Sequence, residues 1–175
     1  EGIYDVPNGH VAAVVTHLEM TAPTMPARLP FPDGITVSNA PLDNGTYRDL
    51  FRAVGGPWLW TSRLLFNDRR LAALLSDPKT VLWVVRDADR DIGLIEMDFS
   101  KAGECELVLF GIMADATGKG LGKPMMALAQ SEAFARGISR FEVHTCSLDD
   151  PRALGFYRRM GFTPIKRAIE IFPDP

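Results

Sequence analysis

"GIMADATGKGLGKPMMALAQ", Gly111 to Gln130, is where an apolar, β-rich run hands over to a helical one, and it carries Gly118, Gly120 and Gly122 with Lys119 and Lys123 beside them. A glycine-rich turn entering a helix leaves several backbone N–H groups without an intrahelical acceptor, and the helix dipole adds about half a positive charge there. Such a turn suits an anion, phosphate above all. Glycines lacking a Cβ let a ligand come close, and the two lysines bring charge to the rim. The same glycines would also serve a tight helix start that binds nothing. An ordinary ATP loop is excluded, since the residue five before Gly122 is Thr117 and Lys123 is followed by Pro124. A dinucleotide fingerprint would need glycine where Lys123 stands.

Upstream of this turn, "TVLWVVRD" and "DIGLIEMDF" are β-rich and joined by the turn former "ADRD", which predicts a hairpin, and "ECELVLFGIM" extends it to a three-stranded meander. Gly111 interrupts this last strand of bulky residues and predicts a kink there. Downstream, Leu121, Met125, Leu128, Ala129, Ala133 and Phe134 fall on one helical stripe that Gly137 closes. "FEVHTCS" reads as a strand, "PRALGFYRRM" as a helix with Pro151 in its first turn, and "FTPIKRAIEIF" as a final strand. Nearer the start, "HVAAVVTHLEM" (His10 to Met20) reads as a strand, a proline-rich connector follows, and "ITVSNA" is a short strand. Asp43 is positioned to cap a helix through "TYRDLFRAV" and Asp68 to cap "DRRLAALLS". "WLWTSRLLF" fits strand and helix equally. The fold class is α/β: a mixed, mostly antiparallel central sheet flanked by helices.

Composition sets outer bounds. The 175 residues are 46% hydrophobic and 23% charged with a net charge of -3, so one domain with a real core is expected and a nucleic-acid partner is not. No apolar run approaches a membrane span, and the start lacks the pattern of a signal peptide, so neither a membrane nor export is expected. Cys105 and Cys146 show neither metal-ligand nor disulfide-framework spacing and read as reduced thiols of a cytoplasmic protein. Three dispersed histidines predict no metal centre. His17 and His144 lie in apolar strands and read as structural.

Two motifs together resemble the GNAT acyltransferases. Thr117-Gly118-Lys119-Gly120-Leu121-Gly122 is similar to that family's R/Q-x-x-G-x-G/A pyrophosphate motif. Asp150, Ala153, Phe156, Tyr157 and Gly161-Phe162 resemble its N-x-x-A-x-x-L-Y-x-x-x-G-F signature at the right spacing. The string "VHTCSLDDPRALGFYRRMGF" resembles a bacterial branch carrying VHTC-x-LDHP. The likeness runs from about Ile35 to the end, which divides the chain into an N-terminal strand and connector, 1–33, and an acyltransferase domain, 34–175. Thr117 stands where Arg or Gln is usual and Asp150 where Asn is usual, so weaker cofactor binding through main-chain amides is expected.

The resemblance implies acetyl-CoA as cofactor and direct transfer of acetyl to a primary amine. It places the pantetheine arm along the backbone of Ile112, Met113 and Ala114, the diphosphate on residues 117 to 123, and the remaining contacts at Asp150, Ala153 and Phe156. Tyr157 matches the family's acid, with a core tyrosine as the alternative. Glu106 matches its strand glutamate, the base, with a solvated edge residue as the alternative. Alternation puts Glu104 and Glu106 on one face. The acceptor is expected among Trp58, Trp60 and Arg63, with Glu96 and Asp98 as acidic partners for a cation. An uncovered N-terminal strand at a sheet edge would favour a homodimer. A non-catalytic acyl-CoA-binding module of the same fold is the alternative function.

Overall fold

The computed structural model describes residues 2–39 and 41–175. Seven strands form one sheet: β1 His10–Met20, β2 Ile35–Ser38, β3 Thr80–Asp87, β4 Arg90–Asp98, β5 Glu104–Ile112, β6 Arg140–Cys146 and β7 Thr163–Pro173. Four helices pack on it: α1 Asn44–Gly55, α2 Asp68–Ser76, α3 Gly122–Ala135 and α4 Ala153–Arg159. The strand order is β2-β3-β4-β5-β6-β1-β7, and among the described residues the β5–β6 pair alone is parallel.

The expected meander is present as β3, β4 and β5. Ala40, the last residue of the expected "ITVSNA" strand, lies outside the described residues. Asp43 caps α1 by accepting from the amides of Gly45 and Thr46. Two boundaries differ from expectation. Asn67, not Asp68, caps α2 by accepting from the Arg70 amide; the two side chains are near-equal caps, so the turn geometry decides. Pro151 stands in a turn ahead of α4, which starts at Ala153.

The N-terminal strand is the larger correction. β1 is not at an edge: it lies between β6 and β7, antiparallel to both, with Val15 opposite Cys146 and Ala168. Ala13, Val15, Leu18 and Met20 are buried there. A homodimer through an uncovered β1 loses its ground, because the outer strands are β2 and β7.

The two sheet faces carry separate cores. Helices α3 and α4 cover Leu18, Ile95, Met97, Cys105, Leu107, Phe141 and Val143. Helices α1 and α2 cover Leu82, Val84, Leu94 and Leu109. Over β6, β1 and β7 this second face carries an open cleft of about 180 Å³ with mixed polar and apolar walls. The proline-rich connector crosses the α3–α4 side and is held by buried Gln130, whose Oε1 accepts from the amides of Thr24 (3.0 Å) and Met25 (3.2 Å) while its Nε2 donates to the Met160 carbonyl (3.0 Å).

An alanine at Gln130 leaves the Thr24 and Met25 amides without their side-chain acceptor, while the Met160 carbonyl keeps the Thr24 hydroxyl at 2.8 Å. Gln130→Ala should therefore lower stability by about 1–3 kcal/mol, read as a lower urea midpoint at unchanged slope.

Candidate functional site

Strands β5 and β6 run side by side only as far as Leu107 and Val143. Beyond that pair β5 continues to Ile112 and β6 to Cys146 without bridging, so the sheet opens into a V. Its cause lies on the other side of β5. Opposite β4, Glu96 pairs with Leu109 and Met97 with Leu107, which leaves Val108 as an extra residue. A bulge bends its strand and increases the local twist, and here the bend carries β5 away from β6. The expected kink therefore sits at Val108 and not at Gly111. Gly111 is small for packing: a Cβ there would come 2.6 Å from Val54 and 3.2 Å from the Trp60 ring.

The extra residue also moves side chains between faces. Val108 and Leu109 both join the α1–α2 core, and Phe110 turns to the α3–α4 side. There its ring stacks on Phe156 at 5.7 Å and meets Tyr157 edge-on at 6.2 Å.

The glycine turn stands beside the open end of the V. Gly118 and Gly120 have φ of +85° and +79°, and space for a Cβ at either is open. Among the described residues, the backbone N–H groups from Gly118 to Lys123 donate to no protein acceptor. Gly122 lies over Phe156, 3.1 Å from where its Cβ would be, and Ala153 packs nearby against the same core. Lys119 reaches Asp87 at 3.1 Å, and Lys123 is exposed. Thr117 is exposed, with its Oγ1 3.4 Å from the Met113 carbonyl, and Leu121 is buried. Ile112 pairs with Gly93 on β4, Met113 donates to the Ile92 carbonyl, and exposed Ala114 opens a short turn. Among the described residues, the β6-facing edge of β5 past Leu107 has no strand partner. Asp150 is neutralised locally by Arg152 (2.9 and 2.5 Å), which holds its carboxyl below the usual carboxylate range.

Tyr157 is buried among Phe110, Phe156 and Phe162, and its hydroxyl donates to no protein acceptor among the described residues. Burial, with the charge of Asp149 second, raises the phenol well above its ordinary pKa. Glu106 sits at the apex of the V, opposite Asp98 on β4 and Glu142 on β6. Its Oε1 lies 3.3 Å from His144 Nδ1. The His144 contact holds the Glu106 carboxyl below its ordinary value, and the same contact raises the imidazole.

Of the residues expected at the acceptor, Arg63 and Glu96 are engaged with each other. Buried Glu96 accepts from Arg63 Nε (3.1 Å) and Nη2 (2.5 Å) and from the Tyr47 hydroxyl, tying the loop before α2 and helix α1 to the strand opposite the bulge. Arg63 Nε and Nη2 and both Glu96 carboxylate oxygens are thus engaged within this cluster. Asp98 caps the turn into β5 by accepting from the Ser100 amide and hydroxyl. Trp58 is half-buried in a 3-10 turn, Gly56–Trp58. Trp60 fits against Gly55 and Gly111 and donates from Nε1 to Asp149 Oδ1 at 3.1 Å. Asp149 Oδ2 accepts from Thr145 Oγ1 (2.7 Å) and the Cys146 amide (2.8 Å). Asp149 thus bridges the two arms of the V, a role signalled in sequence only by its place beside Asp150 in the "LDDP" string.

A family model described as the acetyltransferase (GNAT) family matches residues 45–162. Over 92 residues, 51% of this chain, the sequence is 33% identical to a mycothiol acetyltransferase of Beutenbergia cavernae, and the match covers 30% of that protein. The fold is similar to a GCN5-related N-acetyltransferase from Sphaerobacter thermophilus, with a TM-score of 0.66 and 22% identity over 95% of this chain and 53% of that one. It is also similar to an aminoglycoside acetyltransferase from an uncultured soil metagenomic sample, in complex with sisomicin, with a TM-score of 0.61 and 15% identity over 74% of this chain and 88% of that one. The chain thus spans less than a third of the curated relative and about half of the first structure.

Removing the Glu96 carboxylate leaves Arg63 charged in a site that is nearly dry. Glu96→Ala should cost about 3–5 kcal/mol and Tyr47→Phe no more than about 1–3 kcal/mol, both measured by denaturant unfolding. Equal, small effects would show that the pair does not brace the loop.

Proposed function

The chain belongs to the acetyltransferase (GNAT) family, and from that premise we propose that it transfers acetyl from acetyl-CoA to the primary amine of a small molecule or peptide by direct attack. One observation carries the reading: a run of unpaired amides, Gly118 to Lys123, opens onto a sheet whose two middle strands have parted. Amides without an acceptor at a helix start suit a diphosphate, and the free edge of β5 suits an extended arm that bonds as a strand does. Gly118 and Gly120 leave the room a phosphate needs.

In this reading, residues 117 to 123 hold the diphosphate, with Lys123 and Lys119 at the rim, and the β5 backbone from Val108 to Ala114 holds the arm. Acetyl-CoA supplies a thioester carbonyl carbon to which the amine nitrogen bonds as the carbon–sulfur bond breaks. Amide N–H groups on the free edge of β5 stabilise negative charge on that carbonyl oxygen. Tyr157 gives its hydroxyl proton to the departing sulfur, whose ordinary thiol pKa is about 8.5. Its raised pKa keeps the phenol protonated until then. Glu106, at the apex on the opposite face, serves removal of the ammonium proton. Phe156 and Ala153 support the loop from below, and Trp60 walls the acceptor side. The mycothiol and aminoglycoside acetyltransferases among the similar proteins make amino sugars a first class of acceptor to try.

Two measurements test this. CoA at a hundredfold excess over its Kd should stabilise the native protein by about 2.7 kcal/mol, seen as a clear rise in Tm; no rise would defeat the reading. Tyr157→Phe should keep that rise and lose about 10²–10⁴-fold in CoA release with an amine. Binding without release from the unaltered chain, over polyamines, amino acids, amino sugars and peptides, would identify the non-catalytic module instead.

A further inference from the structure

The cleft on the open sheet face is lined by His17, Glu106, Arg140, Glu142, His144 and Lys166, among others. The cleft meets the catalytic gap at one point. His144 stands one residue past Val143, the last β6 residue to bridge β5, and Glu106 one residue before Leu107, its partner. The two side chains therefore flank the apex from the two arms of the V, with Nδ1 and Oε1 3.3 Å apart.

Resting on the acetyl-transfer reading above, we propose that the atom that takes the ammonium proton is Nε2 of His144, and that Glu106 is a positioning residue that orients the ring through Nδ1. A neutral imidazole carries one N–H and one lone pair, and a carboxylate at Nδ1 selects the tautomer with the proton there. The lone pair then sits on Nε2, which has no protein partner among the described residues, in a side chain that is 44% exposed. In the step, an N–H bond of the substrate ammonium breaks and its electron pair stays on nitrogen. The proton bonds to Nε2, giving an imidazolium paired with the Glu106 carboxylate. Solvent in the open cleft takes that proton away after turnover.

Charged groups face the ring from each neighbouring element. Glu106 comes from β5, His17 from β1 with ring centroids 5.7 Å apart, and Glu142 and Arg140 from β6 itself. Lys166 lines the cleft from β7, where Glu170 adds negative charge, and Asp149 does so from the loop after β6. Acids outnumber the bases, and the Glu106 contact dominates in raising the imidazole. The base is the neutral form, so turnover should rise with pH through a midpoint above the ordinary imidazole value of about 6.5.

Two readouts test the assignment. NMR titration of the His144 ring should give that raised midpoint, and Glu106→Gln should move it down; an unmoved midpoint overturns the dyad. CoA release from acetyl-CoA, with polyamines, amino acids and amino sugars as acceptors, should fall about 10²–10⁴-fold in His144→Gln and lose its acid limb. The same variant should keep its thermal stabilisation by CoA. Glu106→Gln should keep partial turnover, with the limb moved to lower pH. Full turnover in His144→Gln, or abolition in Glu106→Gln with His144→Gln active, would overturn the proposal and leave acetyl transfer standing. No release from the unaltered protein across all acceptors would defeat the acetyl-transfer reading itself, and this role with it.

Discussion

The single extra residue at Val108 is the constraint on which the candidate site depends. Without it β5 would stay in register with β4, and Phe110 would keep the parity of Glu106 and face α1 and α2. With it, β5 swings away from β6 after Leu107, and Phe110 crosses to the side of Phe156 and Tyr157. A bulge leaves its extra residue unpaired in the ladder, and the packing around it must offset that loss. Val108 and Leu109 do so by both entering the α1–α2 core.

Two polar devices keep the opened sheet in shape. The Glu96 carboxylate faces the bulge and gathers Tyr47 from α1 and Arg63 from the following loop. Asp149 holds the far arm to the near one through Trp60, whose ring occupies the room left by Gly55 and Gly111. Glu96 is buried and Asp149 half-buried, and hydrogen bonds to a carboxylate shielded from water are costly to lose. The arms of the V, parted by the bulge, are thus braced across the gap. That is the geometry a long flexible ligand needs if binding is not to spend its energy on ordering the protein.

Much of this was legible from local pattern. The β3–β4–β5 meander, the glycine turn and the helix after it are set by residues close in the chain; of the expected α3 stripe Leu121, Met125, Ala129 and Ala133 are buried and Leu128 and Phe134 partly so, while Met126, Ala127 and Gln130 are buried off the stripe. What escaped depends on partners far away. The place of β1 between β6 and β7 is a choice among apolar strands that its own residues do not encode. The bulge was foreseen at Gly111, the weakest strand former, whereas it falls at a valine because register against β4 decides it. His144 read as structural because its pairing with Glu106 depends on the parallel β5–β6 register, formed across a 27-residue interval in which α3 lies. Arg63 and Glu96 showed the charge of a substrate site, and only the fold reveals that they satisfy each other.

The most direct test of the account is a crystal structure of the protein with CoA bound. The diphosphate should accept hydrogen bonds from amides between Gly118 and Lys123, and the pantetheine arm should lie in the opening between β5 and β6, bonded to the free edge of β5 beyond Val108. A nucleotide seated elsewhere, or an opening closed by re-pairing of β5 with β6, would contradict it.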